Sequence, residues 1–260
     1  KRIMPIGLLV LTLAAVGAAD QVTAQQAENT GPNASIERIT TGKILYRTLS
    51  DGRERGTETF TLVAHPDGTR TLNMINDVYA TNSQLTEVLR VTEAFRPIDS
   101  YISYWVGGSF KGSGYFTVDG DTLRGTVSGP LGTESQELTV PDGFSFVTHP
   151  LAGDGWHFWY YDDAKSGVQD GLVFNIDNGT DQSKPVTGQL QPLKLERVGE
   201  ETITVPAGSF DTVHYRLVGF ADIWVTGPDN VLVRYAWEPF DREYVLVEYD
   251  HIDNAVPAED

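Results

Sequence analysis

From Ile36 onward, apolar and polar residues alternate along most of the chain, and Gly, Pro, Asn and Asp interrupt the alternation. A period of two is the signature of half-buried strands, so helical architectures are disfavoured at once. Residues 57–64 and 69–75 flank His65-Pro66-Asp67-Gly68, where proline presets φ and glycine accepts positive φ; this predicts a hairpin. Residues 115–118 and 122–127 flank Asp119-Gly120-Asp121 in the same way. Segment 101–106 is aromatic and β-rich before Gly107-Gly108, and segments 171–176, 188–197, 201–205, 210–218, 222–226, 231–237 and 244–251 read as a meander with short turns. The expectation is an all-β fold: a curved antiparallel sheet or incomplete β-barrel, lipocalin-like or lipoprotein-carrier-like, with one domain over 36–253 and a tail at 254–260. Hydrophobic residues make up 40% of the chain, enough for a substantial core.

The start of the chain carries an address. Lys1 and Arg2 precede an apolar run over 6–16, then small residues and a polar stretch over 20–33. That is a secretory signal pattern, expected to span 1–24 with cleavage fitting best after Ala24, or alternatively after Ala19, followed by a flexible lead-in over 25–35. The run falls short of the roughly 20 apolar residues of a membrane-spanning helix, so no transmembrane segment is expected in the mature chain. The expected location is a bacterial periplasm or the exterior. Lys and Arg total 19 against 36 Asp and Glu, and the net charge of −17 argues against nucleic acid as a partner. With no cysteine there can be no disulfide, thiolate nucleophile, Cys-ligated zinc or iron–sulfur cluster. Gly107, Gly108, Gly112 and Gly114 lack the strand-then-helix frame of a phosphate-binding loop and read as bulges or a tight corner, so no cofactor is expected.

The stretch 201–217 contains Val205-Pro-Ala-Gly-Ser-Phe-Asp-Thr-Val213, in which Pro206 to Gly208 turn between strands and Phe210 restarts the alternation. This corner, with Asp222 to Val225 and Val231 to Arg234 after it, resembles a family of exported bacterial β proteins of unknown function. The resemblance covers roughly 196–250 and implies a curved sheet or incomplete barrel. It carries no activity and no catalytic residue with it.

The segment 148–163 loses the alternation and is the best candidate for a short helix or long loop. Trp156, Trp159 and Tyr160 stand at i, i+3 and i+4, so one helical turn would put them on one face, either as a lid over an apolar pocket or as plain core. On 210–218, alternation sets Thr212, His214 and Arg216 on one face and Val213, Tyr215 and Leu217 on the other. The five histidines show no zinc-binding spacing, and Asn175, Asp177, Asn178 and Asp181 lack a calcium-loop frame, so no metal is expected.

Candidate ligand-binding residues are Trp156, His157, Trp159, Tyr160, His214, Arg216, Trp224 and Arg234. The favoured function is a non-enzymatic protein holding a hydrophobic small molecule or lipid-like ligand on the concave side of its sheet. An enzyme acting on a hydrophobic molecule is the alternative: His157 or His214 would serve as base, Asp154 or Asp222 would orient it, and Tyr160 or Arg216 would steady developing charge. A third reading is an envelope assembly component that pairs through open strand edges.

Overall fold

The computed structural model describes residues 37–147, 150–176 and 179–253. The expected signal segment 1–24, the lead-in 25–35, the tail 254–260, His149, Asp177 and Asn178 lie outside the described residues. The described residues build one all-β sheet of fifteen strands. These are β1 (Arg38–Thr48), β2 (Glu54–Ala64), β3 (Arg70–Val78), β4 (Ser83–Val91), β5 (Pro97–Val106), β6 (Ser109–Asp119), β7 (Thr122–Gly129), β8 (Gly132–Thr139), β9 (Ser145–Val147), β10 (Gln169–Ile176), β11 (Gly188–Val205), β12 (Gly208–Leu217), β13 (Ala221–Thr226), β14 (Val231–Trp237) and β15 (Arg242–Asp253).

The spatial order is that of two meanders sewn together at their ends. β1 pairs with β15, β2 to β8 extend to one side, and β14 back to β9 extend to the other. Every pairing is antiparallel except β9 with β10, a short parallel contact at one edge. Both expected hairpins are present, β2 with β3 and β6 with β7. Gly107 and Gly108 form the turn from β5 to β6, each with positive φ (61° and 77°), the backbone that a two-residue hairpin turn demands.

The sheet does not close into a continuous ladder. At the open seam the Gln136 side chain on β8 replaces a strand: its amide nitrogen donates to the Gly188 carbonyl at 2.8 Å and its oxygen accepts from the Gly188 N–H at 2.9 Å. Gly188 itself is needed there because a Cβ would lie 2.4 Å from the Phe174 ring. Phe116, Phe146 and Phe174 pack behind this seam with centroids 5.1 to 6.4 Å apart. β8 and β9 have no counterpart in the sequence-based strand assignment. β8 is mostly exposed and lacks apolar alternation, and β9 is only three residues long.

The non-alternating segment supplies the remaining core. A 3-10 turn, Ala152–Trp156, is followed by further turns, and every residue from 151 to 158 is buried. The single helical face expected for Trp156, Trp159 and Tyr160 does not form. The Trp156 indole donates to the Asp229 carbonyl, the Trp159 indole to Phe144 and the Tyr160 hydroxyl to Leu172, three different parts of the wall. A segment buried on all sides has no free face to present. It is an internal plug packed on β9, β13 and β14.

Candidate functional site

Alternation assigns each strand an inward and an outward set, and several inward positions on β2 to β5 are polar. On β2 the inward parity of Gly56, Phe60, Leu62 and Ala64 also includes Glu58. On β4 it runs Ser83, Leu85, Glu87, Leu89 and Val91. Asn76 on β3 and Ser100 on β5 occupy the same phase, and Glu58, Asn76, Glu87 and Ser100 are all fully buried. The plug adds Asp154 and His157, also buried.

Hydrogen bonds tie these groups into a polar floor. Glu58 accepts from the Tyr46 hydroxyl at 2.5 Å and from the backbone N–H groups of Leu151 and Ala152 at 2.7 and 2.8 Å, which anchors the entry of the plug. Asn76 donates to the Tyr46 hydroxyl at 3.3 Å. Glu87 accepts from the Ser100 hydroxyl at 2.9 Å through Oε1, while its Oε2 is buried with no hydrogen-bond partner. The His157 ring has Nδ1 at 2.9 Å from Ser145 Oγ and Nε2 at 3.2 Å from Asp154 Oδ1; the second contact lacks hydrogen-bond alignment and leaves both atoms short of a partner.

Burial dominates the electrostatics here. It pushes the Glu58 carboxyl up to about 7 against the opposing hydrogen bonds from Tyr46, Leu151 and Ala152, with the Asp154 charge adding to the rise. Burial likewise pushes Glu87 up to about 8, Ser100 opposing and Asp154 and Glu58 reinforcing. Tyr46 and Tyr104 are raised by burial and by the acids beside them, Glu58 and Glu87 respectively.

Tyr46, Asn76, Asp154 and His157 of this network also line a cavity of about 630 Å³, within the range of small-molecule sites, whereas Glu58 and Glu87 lie outside its lining. Asp154 and His157 line its inner part together with the rings of Tyr46, Tyr104 and Tyr235. Val78, Leu85, Val173, Leu193 and Leu217 supply apolar wall. Arg55, Arg242, Tyr244, Phe220 and Trp237 belong to the strand ends and turns at its rim. Trp237 there is packed between Phe220 and Phe240, with centroids at 4.5 and 4.4 Å, and the Arg242 guanidinium lies 5.2 Å over its ring.

Of the candidate residues named from the sequence, the structure brings His157 and Asp154 together at this cavity. Trp156, Trp159 and Tyr160 are wall and plug packing outside its lining. His214, Arg216, Asp222, Trp224 and Arg234 form a separate group on the opposite wall face. His214 stacks on Trp224 at 4.3 Å and contacts Asp222 at 2.7 Å; Arg216 donates to Asp222 at 2.9 Å. The Arg234 guanidinium lies 4.8 Å over Trp224, and the Trp224 indole donates to Glu201. Their register neighbours Tyr215, Leu217 and Ile223 point inward, Tyr215 stacking on Phe158 at 4.2 Å. Glu58, Glu87, Ser145 and the cavity tyrosines escaped the sequence reading, although Glu58 and Glu87 sit in apolar phase, a legible signal. Among the described residues no three His, Asp or Glu side chains are arranged to hold a metal ion.

No protein-family model matches the chain, and no curated protein matches it. Solved structures do. A β-barrel-like protein of a family of unknown function, DUF1849, from Brucella abortus superposes with a TM-score of 0.51 at 8% identity, covering 85% of this chain and 99% of that one. A DUF1089 family protein from Pseudomonas aeruginosa gives 0.41 at 9% identity, over 70% and 89% of the two chains. A protein from Bacteroides fragilis with a YmcC-like fold, described as exported, gives 0.29 at 13% identity, over 84% and 97%. The first of these supports a barrel-like fold and is silent on activity.

Proposed function

We propose that this chain is an exported bacterial binding protein whose incomplete barrel holds a hydrophobic or lipid-like small molecule in the cavity above Asp154 and His157. The observation that carries this is the cavity itself: about 630 Å³ inside the sheet, walled mainly by aliphatic and aromatic side chains, with a few polar groups converging at its floor. The −17 charge and the signal-like start fit an extracytoplasmic location. A neutral apolar dye such as N-phenyl-1-naphthylamine should bind with enhanced fluorescence. Leu217→Trp, which fills the cavity from β12, should weaken that binding at least tenfold while the far-ultraviolet circular dichroism stays unchanged. Equal binding by the filled variant would mean that the dye sits elsewhere and that the cavity is not the site.

One observation favours a second reading, chemistry on the bound molecule. Asp154 and His157 both face the cavity, and His157 is backed by the Ser145 hydroxyl, so an imidazole held between a carboxylate and a hydroxyl borders the occupant. His157→Gln separates the two: a binder keeps its occupant unaltered in both proteins, whereas an enzyme converts it in the wild type and leaves it intact in the variant.

A further inference from the structure

Three buried acids, one lining the cavity and two in the network behind it, are not matched by Lys or Arg. Glu58, Glu87 and Asp154 are partnered by a tyrosine, a serine, two backbone N–H groups and one imidazole; among the described residues no Lys or Arg pairs with any of the three. Buried carboxylates elsewhere in proteins are paired or metal-bound, because an unpaired charge in a low-dielectric interior is costly. Here Asp154 Oδ1 and Glu87 Oε2 are fully buried without a hydrogen-bond donor. Asp154 also lines the open cavity, so a donor arriving from the cavity can reach it.

The walls beside Asp154 point to the kind of donor. Tyr46, Tyr104 and Tyr235 line the cavity with Asp154, and the electron-rich faces of aromatic rings attract organic cations. The rim has the opposite polarity. Arg55 stands three residues before Glu58 on β2, about 10 Å of extended strand away, and lines the cavity with Arg242 and Tyr244. The lining therefore carries one carboxylate, Asp154, among tyrosines, and two guanidinium groups at strand ends.

We infer that the occupant of this cavity is an organic ammonium compound, an amine or quaternary ammonium carried on an apolar body, whose cationic end seats on Asp154 among Tyr46, Tyr104 and Tyr235. This rests on the cavity being the binding site. The apolar body accounts for the aliphatic wall of Leu85, Val173 and Leu217, and the cation supplies the counter-charge that the floor lacks. As Glu58 and Glu87 ionise, the buried network behind Asp154 gains negative charge, so affinity for the cation rises with pH. The titratable groups around them are Asp154 and His157 on the plug and Tyr46, Tyr104, Tyr235 and Tyr244 on the wall.

Three single-chain probes test the inference on the full chain: octyltrimethylammonium, octanol and octanoate, titrated by calorimetry at pH 6 and pH 9. The ammonium probe should bind at least tenfold more tightly than the other two at pH 9, with a smaller preference at pH 6, and Asp154→Asn should bring the preference close to one. Should that variant fail to fold, the pH dependence of the preference in the wild type decides by itself. Equal binding of all three probes overturns the ammonium assignment and leaves the cavity as an apolar site. Tighter binding of octanoate overturns it in favour of recognition by Arg55 and Arg242. No binding of any probe removes the cavity as a binding site and the ammonium assignment with it.

Discussion

Asp229 and the trio Glu58, Glu87 and Asp154 are all buried acids, yet they are handled in opposite ways. Asp229, in the turn between β13 and β14, receives Arg38 at 2.9 and 3.0 Å and Arg70 at 2.8 Å, while its carbonyl accepts the Trp156 indole. Arg70 in turn lies 4.2 Å over Phe95, which leans on Trp156. Burial opposes ionisation of Asp229, but the hydrogen bonds and charges of the two arginines hold its carboxyl below the ordinary carboxylate range. The trio has no arginine, and at Glu58 and Glu87 burial wins. The contrast teaches that the barrel can neutralise a buried acid where it needs a lock between strands. Where the acids approach the cavity, the neutralising groups are protons, one imidazole or whatever enters.

The largest effect should come from breaking the lock. Asp229→Ala strands two arginines, one of them nearly buried, and should cost about 3–5 kcal/mol in denaturant unfolding. Dye binding per folded molecule should be unchanged, since Asp229 lies outside the cavity lining.

The second effect concerns pH. Glu87 moves from the ordinary 4.5 to about 8 and Glu58 to about 7, so between those values the folded state holds protons that the unfolded chain has released. Their contribution to stability is full below about pH 4.5 and is lost as pH climbs towards 8. Asp229 runs the other way: its contribution is full above its ordinary 3.8 and disappears as pH falls through its lowered value. Melting temperature should therefore decline from pH 5 to pH 9. Glu87→Gln should flatten that decline and stabilise the protein at pH 9 by a few kcal/mol, on the order that such shifts represent. A wild-type curve rising over this range would show the floor acids to be ordinary.

Tyr46→Phe removes the 2.5 Å hydrogen bond to Glu58 and should cost about 1–3 kcal/mol, read by chemical denaturation. The smallest effect is expected on the outer wall. Arg216→Ala breaks a half-exposed contact with Asp222 and should change stability by about 1 kcal/mol or less, with dye binding intact. A large loss of binding there would move the site to the outer face and erase the contrast between the two groups of acids.

The strands were legible because alternation is a local property: β2, β3, β6, β7 and most of β10 to β15 follow the pattern of their own residues. β8 and β9 were not, since an exposed edge such as Gly132–Thr139 needs no apolar face and a three-residue parallel pair leaves no period. At the site, the aromatic and charged density around Asp154 and His157 drew attention to the segment whose residues line the cavity, but its conformation depends on partners far away in sequence. Glu58 lies more than ninety residues from the Leu151 and Ala152 N–H groups it accepts from, and the Trp156 anchor at Asp229 is 73 residues away. His214 and Arg234 were conspicuous for their chemistry, while strand parity turned them to the outer face. Glu58 and Glu87 carried the better signal: a charged residue in apolar phase marks an acid that the strand must bury.

The most direct test of a ligand-holding barrel is native mass spectrometry of the protein purified from its own host without detergent. The account predicts a population heavier than the bare chain by one small molecule, which organic extraction removes and which Leu217→Trp fails to retain. A bare-chain mass alone, in wild type and variant alike, would contradict it.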